Sequence, residues 1–264
     1  MKKNLGQIFL IDKNIAKKIV MSLDLQLQDT VIEIGPGNGV LTEYILKKKI
    51  EKLIGIELDR GLVEKLKEKF PNKYFQNFEI INNDFLKINT NDFNQNIKFI
   101  GNIPYRITSR ILKKIFEFKN WQLCVLMVQK EVGERILSEP GNKKYGVLTL
   151  LVQFYADVEK IINKISPECF YPKPNVYSTV IKLIRKPILY SVDFTKNLFN
   201  LINNAFSKRR KTILNSLSTG LNIGKNILVE YLKKSNINPE IRPECISLKQ
   251  YILLYSILKN NSLK

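Results

Sequence analysis

Histidine is absent from this chain of 264 residues. Without an imidazole there is no His-based triad, no His-ligated metal centre and no imidazole acting as a base. Cysteine is scarce: Cys124, Cys169 and Cys245 lie far apart and form no C-x-x-C pair, which argues against both a disulfide framework and a zinc site. No metal site is expected. No apolar run approaches the roughly 20 residues that span a bilayer, so no membrane partner is expected. The stretch Met1-Lys2-Lys3-Asn4-Leu5-Gly6-Gln7 is basic and lacks the apolar region of a signal peptide, and the protein is expected in the cytoplasm.

Acidic residues are few relative to basic ones. The 24 Asp+Glu against 43 Lys+Arg leave a net charge of +19, which attracts polyanions. A biased composition rich in Lys, Asn and Ile would account for Lys over Arg, but it accounts less well for the excess of base over acid. Nucleic acid is the expected partner class.

Strand-like apolar runs at Thr30–Ile34, Leu53–Glu57, Phe78–Ile81, Ile97–Gly101 and Leu123–Val128 alternate with helix-like segments at Val40–Lys48, Gly61–Phe70, Thr108–Phe118 and Lys130–Leu137. That alternation predicts a mostly parallel sheet with helices on its faces. Two more strands, Val158–Ile165 and Tyr177–Ile184, flank a Pro-rich loop and suit an antiparallel hairpin at the sheet edge. After Lys186-Pro187 the texture changes: Phe194, Leu198, Ile202, Ala205, Phe206, Ile213 and Leu217 recur near a helical period. Further helices are expected at Ile227–Lys233 and Leu248–Leu258. From Ser191 onward the net charge is +8. The expected organisation is an α/β catalytic domain over 1–187 and a small, basic, all-helical domain over 188–264.

Within the first domain, Val31-Ile32-Glu33-Ile34-Gly35-Pro36-Gly37-Asn38-Gly39-Val40 places a glycine-rich turn between an apolar strand and an amphipathic helix. Glycines there let the backbone turn tightly and approach a ligand. The dinucleotide pattern G-x-G-x-x-G would need glycine where Val40 stands, and no Lys-Ser or Lys-Thr follows to complete a phosphate-cradling loop. The remaining pattern resembles the first motif of class I S-adenosylmethionine-dependent methyltransferases. Glu57, 22 positions beyond Gly35, ends the second strand and is placed to accept from ribose hydroxyls. Asp59 competes for that role but lies one step into the next helix. Asp84 ends the third strand and could accept from an adenine amino group. Taken singly, each acid could be a solvated strand end or a helix cap.

Asn102-Ile103-Pro104-Tyr105 ends the fourth strand. The Asn102 amide oxygen and the carbonyls near Ile103 and Pro104 can accept both hydrogens of an exocyclic amine and aim its lone pair at a methyl donor. Tyr105 can stack on the base. Such chemistry is positioning plus electrostatics, and it needs no histidine. In Phe170-Tyr171-Pro172-Lys173-Pro174-Asn175-Val176, prolines hold the loop extended, and Phe170 is a candidate for the opposite wall of the base pocket. Alone, either motif reads as an ordinary turn or β-connection.

Together with Gly6–Leu10, Gln129-Lys130-Glu131-Val132, Tyr145-Gly146, Phe170–Ser178 and Phe206–Leu217, these residues make a chain that resembles, nearly end to end, the KsgA-type small-subunit rRNA adenine dimethyltransferases. The resemblance implies a Rossmann-like class I methyltransferase sheet with a helical C-terminal domain. It also implies S-adenosylmethionine-dependent transfer of two methyl groups to N6 of each of two adjacent adenosines in the 3′-terminal hairpin of small-subunit rRNA, with a role in small-subunit biogenesis. By the same resemblance the cofactor pocket would include Ile8, Leu10, Gly35, Glu57, Asp84 and Asn102, with Gly37 in the glycine turn. Family members usually carry Asn or His where this chain has Ile8, so only a backbone contact can be carried over there.

Two alternatives stay open. The macrolide-resistance enzymes that methylate large-subunit rRNA share Asn-Ile-Pro-Tyr; Gln129–Val132, Gly141–Gly146 and Arg242-Pro243-Glu244 look instead like the small-subunit enzyme. An assembly factor acting mainly by binding an immature small subunit is the other. A stacked adenosine cannot reach a buried pocket, so the target is expected to flip out. Lys208-Arg209-Arg210-Lys211 is expected to bind RNA from a helix anchored by Phe206, Ile213 and Leu214; a solvated helix face is the competing account. With no heptad seam, a monomer is expected.

Overall fold

A computed structural model describes residues 7–71, 76–93, 95–208 and 210–261. The chain runs β1 (Phe9–Leu10), α1 (Lys13–Met21), β2 (Thr30–Ile34), α2 (Val40–Leu46), β3 (Lys52–Glu57), α3 (Arg60–Lys69), β4 (Phe78–Asn82) and β5 (Ile97–Asn102). It continues through α4 (Thr108–Glu117), β6 (Trp121–Gln129), α5 (Lys130–Ile136), α6 (Val147–Tyr155), β7 (Ala156–Ile165), β8 (Phe170–Tyr171) and β9 (Ser178–Arg185). The last elements are α7 (Val192–Phe206), α8 (Ile213–Leu221), α9 (Lys225–Lys234) and α10 (Leu248–Asn261). The strands read from sequence lie within two residues of these bounds at each end. What the periodicity did not show are the two-residue strands β1 and β8, and the helices α1 and α6.

Seven strands form one sheet in the order β4-β3-β2-β5-β6-β9-β7. The first five are parallel, and β9 runs antiparallel to β6. β2 is buried along its whole length and β5 up to Gly101, the continuous burial that helices on both faces impose on a parallel strand. Lys98 is the one charged residue in β5. Its ammonium is held by Asp29 at 2.7 Å and by the Asp24 carbonyl at 2.7 Å, so the buried charge is paired and hydrogen-bonded. Strand order reverses between β2 and β5, and in such a sheet the crevice beyond the carboxyl ends at that point is the natural ligand site.

Two compact units emerge: 1–133 with 157–185, and 134–156 with 186–264. The expected boundary at 187/188 lies within two residues of one junction, but residues 134–156 are a correction. Tyr145 and the α6 residues Leu150 and Phe154 share a buried core with Leu198, Leu201, Ile202 and Tyr251, so the chain lends the helical unit an early segment. A second correction concerns 194–217. The apolar period runs through this stretch, yet the helix breaks after Phe206, and Thr212 starts α8 by accepting the Asn215 N–H.

Candidate functional site

The carboxyl ends of β2, β3, β4 and β5 open into one cavity of about 610 Å³. Its lining includes Ile8, Leu10, Gly35, Gly37, Glu57, Asp84, Asn102, Ile103, Pro104 and Tyr105. Of the residues assigned from sequence to the cofactor or the target base, all but Phe170 therefore stand at one site.

In the turn from β2 to α2, Gly35 and Gly37 have φ of +66° and +58°, the left-handed region that a Cβ disfavours. A Cβ on Gly37 would press on the Phe9 ring at 3.0 Å, whereas one on Gly35 would meet no atom within 4 Å. The backbone at Gly35 is thus open to close approach. The Gly37 N–H donates to Glu57 Oε2 at 3.0 Å and the Asp59 N–H to Oε1 at 3.0 Å, which ties the ends of β2 and β3 together. Glu57 is buried, and that burial raises its pKa above the ordinary carboxylate value against the pull of these N–H groups. The carboxylate keeps acceptor capacity for a ligand hydroxyl. Asp59 caps α3 through the Gly61 and Leu62 N–H groups and is not part of the lining.

Asp84, two residues beyond the end of β4, accepts the Leu86 N–H at 3.0 Å through Oδ1, an N-cap that fixes its carboxylate in a turn. Asn102 ends β5. Its Nδ2 donates to the Ile8 carbonyl at 2.8 Å, and this contact orients the amide so that Oδ1 is left as the acceptor. Ile8 thus holds Asn102 through its backbone carbonyl, while its side chain packs on the core. The Pro104 carbonyl already accepts the Ile107 N–H at 3.1 Å; among the described residues the Ile103 carbonyl accepts nothing. Tyr105 is half-buried, and its hydroxyl lies 2.5 Å from Ser178 Oγ at the start of β9. Burial raises its phenol pKa.

Phe170 corrects the sequence reading. It is 3% exposed, pairs with Leu10 across the β1–β8 ribbon, and belongs to the core beneath the site, so it presents no face to the cavity. An aromatic beside prolines reads the same whether it lines a pocket or anchors a ribbon. Lys208, Arg210 and Lys211 are exposed, but they lie in the break between α7 and α8 and not on a helix; the Lys211 N–H closes a turn onto the Lys208 carbonyl at 2.8 Å. Arg209 lies outside the described residues.

Phe9, Gln129 and Glu33 also line the cavity, and sequence reasoning gave none of them a role there. Phe9 stands over Gly37, Gln129 occupies the end of β6, and Glu33 lies in β2 beneath the glycine turn. Glu33 is 1% exposed and accepts from Thr42 Oγ1 at 2.6 Å; burial pushes its pKa up to about 7. An acid inside an otherwise apolar buried strand was the signal available for Glu33, and the strand-end rule itself for Gln129. The cavity's charged lining is Glu33, Glu57 and Asp84 with Arg106 as the one cation among the described residues, in a chain of net charge +19. Such a lining favours a cationic ligand bearing hydroxyls over a phosphate-rich one.

Comparison with known proteins agrees with this geometry. The family model described as ribosomal RNA adenine dimethylase matches residues 1–260. The ribosomal RNA small subunit methyltransferase A of Clostridium botulinum (strain Okra / Type B1) is 42% identical over 255 residues, covering 94% of this chain and 90% of that protein. Its namesake in Alkaliphilus metalliredigens is 41% identical over 261 residues, covering 96% and 90%. Among solved structures, a dimethyladenosine transferase from Plasmodium falciparum superposes with a TM-score of 0.80 at 28% identity, over 96% of this chain and 98% of that one. The 23S rRNA methyltransferase ErmE superposes with a TM-score of 0.73 at 23% identity, over 95% and 99%, which is a likeness of fold alone.

Proposed function

Because this chain belongs to the ribosomal RNA adenine dimethylase family, we propose that the cavity at the ends of β2–β5 is where its methyl donor and a target adenosine meet. The protein is an S-adenosylmethionine-dependent methyltransferase that dimethylates adenine N6 in small-subunit rRNA. The residues present fit that cofactor: an approachable glycine backbone, a strand-end carboxylate for ribose and an acidic lining for a cation.

S-adenosylmethionine, when bound, supplies an electrophilic methyl group on a sulfonium. Gly35 would let the backbone close on it, Gly37 would hold the Glu57 carboxylate in place through its N–H, Glu57 would accept from the ribose hydroxyls, and Asp84 would accept from the adenine amino group through the oxygen left by the cap. Asn102 Oδ1 and the Ile103 carbonyl accept the two N6 hydrogens of the target adenosine, which holds the amine lone pair out of conjugation and along the line of attack. Tyr105, braced by Ser178, supplies the stacking face lost when the base leaves its helix. The methylated N6 is briefly cationic and strongly acidic and sheds its proton to water, so no strong base is required.

The observation that supports this reading is the Asn102–Ile8 hydrogen bond, since it uses Nδ2 and leaves Oδ1 free to accept. Asn102→Ala is expected to lower methyl transfer by about 10²–10³-fold while small-subunit binding persists. Normal methylation by this variant would remove Asn102 from the reaction; label from S-adenosylmethionine appearing only in large-subunit RNA would overturn the specificity. The same variant separates catalysis from an assembly role by occupancy, because binding alone would survive it. The helical unit, with its net charge of +8 from Ser191 onward, supports a role in holding the 3′-terminal hairpin of a partly assembled subunit. A monomer acting in the cytoplasm fits this reading. Among the described residues no helix is long and apolar enough to cross a membrane.

A further inference from the structure

Helix α4 follows the Asn102–Tyr105 motif directly. Its inner face buries Thr108, Ile111, Leu112, Ile115 and Phe116. On the outside, Arg110 and Lys113 are exposed and share a face of α4 at a spacing of three, and the exposed Arg106 lies in the turn that leads into the helix. Arg106 stands on the cavity rim, and the row of three runs from there into α4.

A surface that only solvates a helix mixes its charges, and other helices here do so. Lys47 pairs with Glu43 on α2 at 2.8 Å, and Arg60 with Glu64 on α3 at 3.1 Å. On α4 the single acid, Glu117, is taken by Lys114 at 2.9 Å on the far turn. Among the described residues Arg106, Arg110 and Lys113 make no hydrogen bond or ion pair. Three cations in a row, repelling one another with no counter-charge, cost stability unless a polyanion lies against them.

We propose that Arg106, Arg110 and Lys113 form a phosphate track that holds the RNA strand on the 3′ or 5′ side of the target adenosine as that base enters the cavity. The inference rests on the methyltransferase reading above and adds the path of the strand beside the site. It is separate from the Lys208–Lys211 segment. The row begins at the rim, so the first phosphate it holds belongs to the target nucleotide or its immediate neighbour, and the extrusion of the base is set against contacts made by the backbone. Guanidinium groups at the two positions nearest the cavity suit bidentate phosphate contacts; Lys113 acts as a point charge farther out.

The test uses Arg110→Ala/Lys113→Ala, two positions off the cavity lining, in the full-length protein with unmethylated small subunits between about 50 and 200 mM salt. KM for the subunit is expected to rise about tenfold, and the log–log salt dependence to flatten by about 0.7 for each single-strand phosphate that is no longer neutralised. The affinity for S-adenosylmethionine, measured by calorimetry, should stay as in the wild type, which also reports that the variant is folded. Arg110→Lys/Lys113→Arg, which keeps both charges, should recover most of the loss in KM. Unchanged KM and salt slope in the alanine variant would overturn the track, as would an equal loss in the charge-keeping variant. A wild-type protein that transfers no methyl group to small-subunit RNA would instead sink the underlying reading and this inference with it.

Discussion

Asn102 and Glu33 show how one residue's environment decides its task. The Asn102 amide could face either way, and the Ile8 carbonyl takes its Nδ2, which leaves Oδ1 as the free acceptor. Glu33 is a carboxyl held almost out of water by β2 and hydrogen-bonded by Thr42, with its pKa raised from 4.5 to about 7. The folded protein therefore keeps a proton that the unfolded chain has lost. Its contribution to stability is fully present below about pH 4.5 and is lost as pH rises through about 7. Glu33→Gln, which retains an acceptor for Thr42, is expected to remove that loss. Above pH 7 the apo variant should gain on the order of 3 kcal/mol relative to wild type at one pKa unit per 1.36 kcal/mol, with the gap closing toward pH 4.5. Thermal melts of both proteins across this range check it; parallel curves would show that Glu33 does not titrate there.

Among the elements, the β1–β8 ribbon has the largest effect for its size. Each strand has two residues, and the pairs Phe9–Tyr171 and Leu10–Phe170 hold it together. β1 and the residue before it bring Ile8, Phe9 and Leu10 to the cavity wall, so a piece of chain distant in sequence shapes the site. No periodicity could reveal two-residue strands; the residues that matter were legible only through their resemblance to family motifs. Phe170→Ala is expected to lower stability by about 3–5 kcal/mol through the cavity it leaves, and to weaken S-adenosylmethionine binding because β1 loses its support. Chemical denaturation and calorimetry measure the two effects. A stable protein with normal cofactor affinity but no methyl transfer would return Phe170 to the base pocket. The parallel strands were easier to read: β2 is five buried residues in a row, mostly β-branched, and such a short run bounded by turns has few other uses.

At the scale of the molecule, charge is divided by location. The chain carries +19, yet its main cavity is lined by three acids and one cation among the described residues, so the excess of positive charge lies outside that cavity. Binding to small subunits should fall steeply with salt. Replacing Lys208, Arg209, Arg210 and Lys211 by alanine should weaken it and reduce the salt slope by about 1 for each phosphate that the segment no longer neutralises, whereas S-adenosylmethionine binding should be unaffected. Equal affinity and slope in a filter-binding series would take this segment off the RNA surface. Its position in the break between α7 and α8 was hidden by an apolar period that continues on both sides, because helical spacing does not record where hydrogen bonding stops.

The sequence by itself determined the alternation of strands and helices, the glycine turn and the chemistry carried by successive strand ends. These are local properties: side-chain period, backbone freedom and residue type are written in neighbouring positions. Only the tertiary structure decided that Asn102 presents its oxygen, that Phe170 is core, that residues 134–156 join the helical unit and that Glu33 lies buried beneath the glycine turn. Each of those depends on groups brought together from far apart in the chain, and burial or a hydrogen-bond partner at long range leaves no mark on the residues nearby.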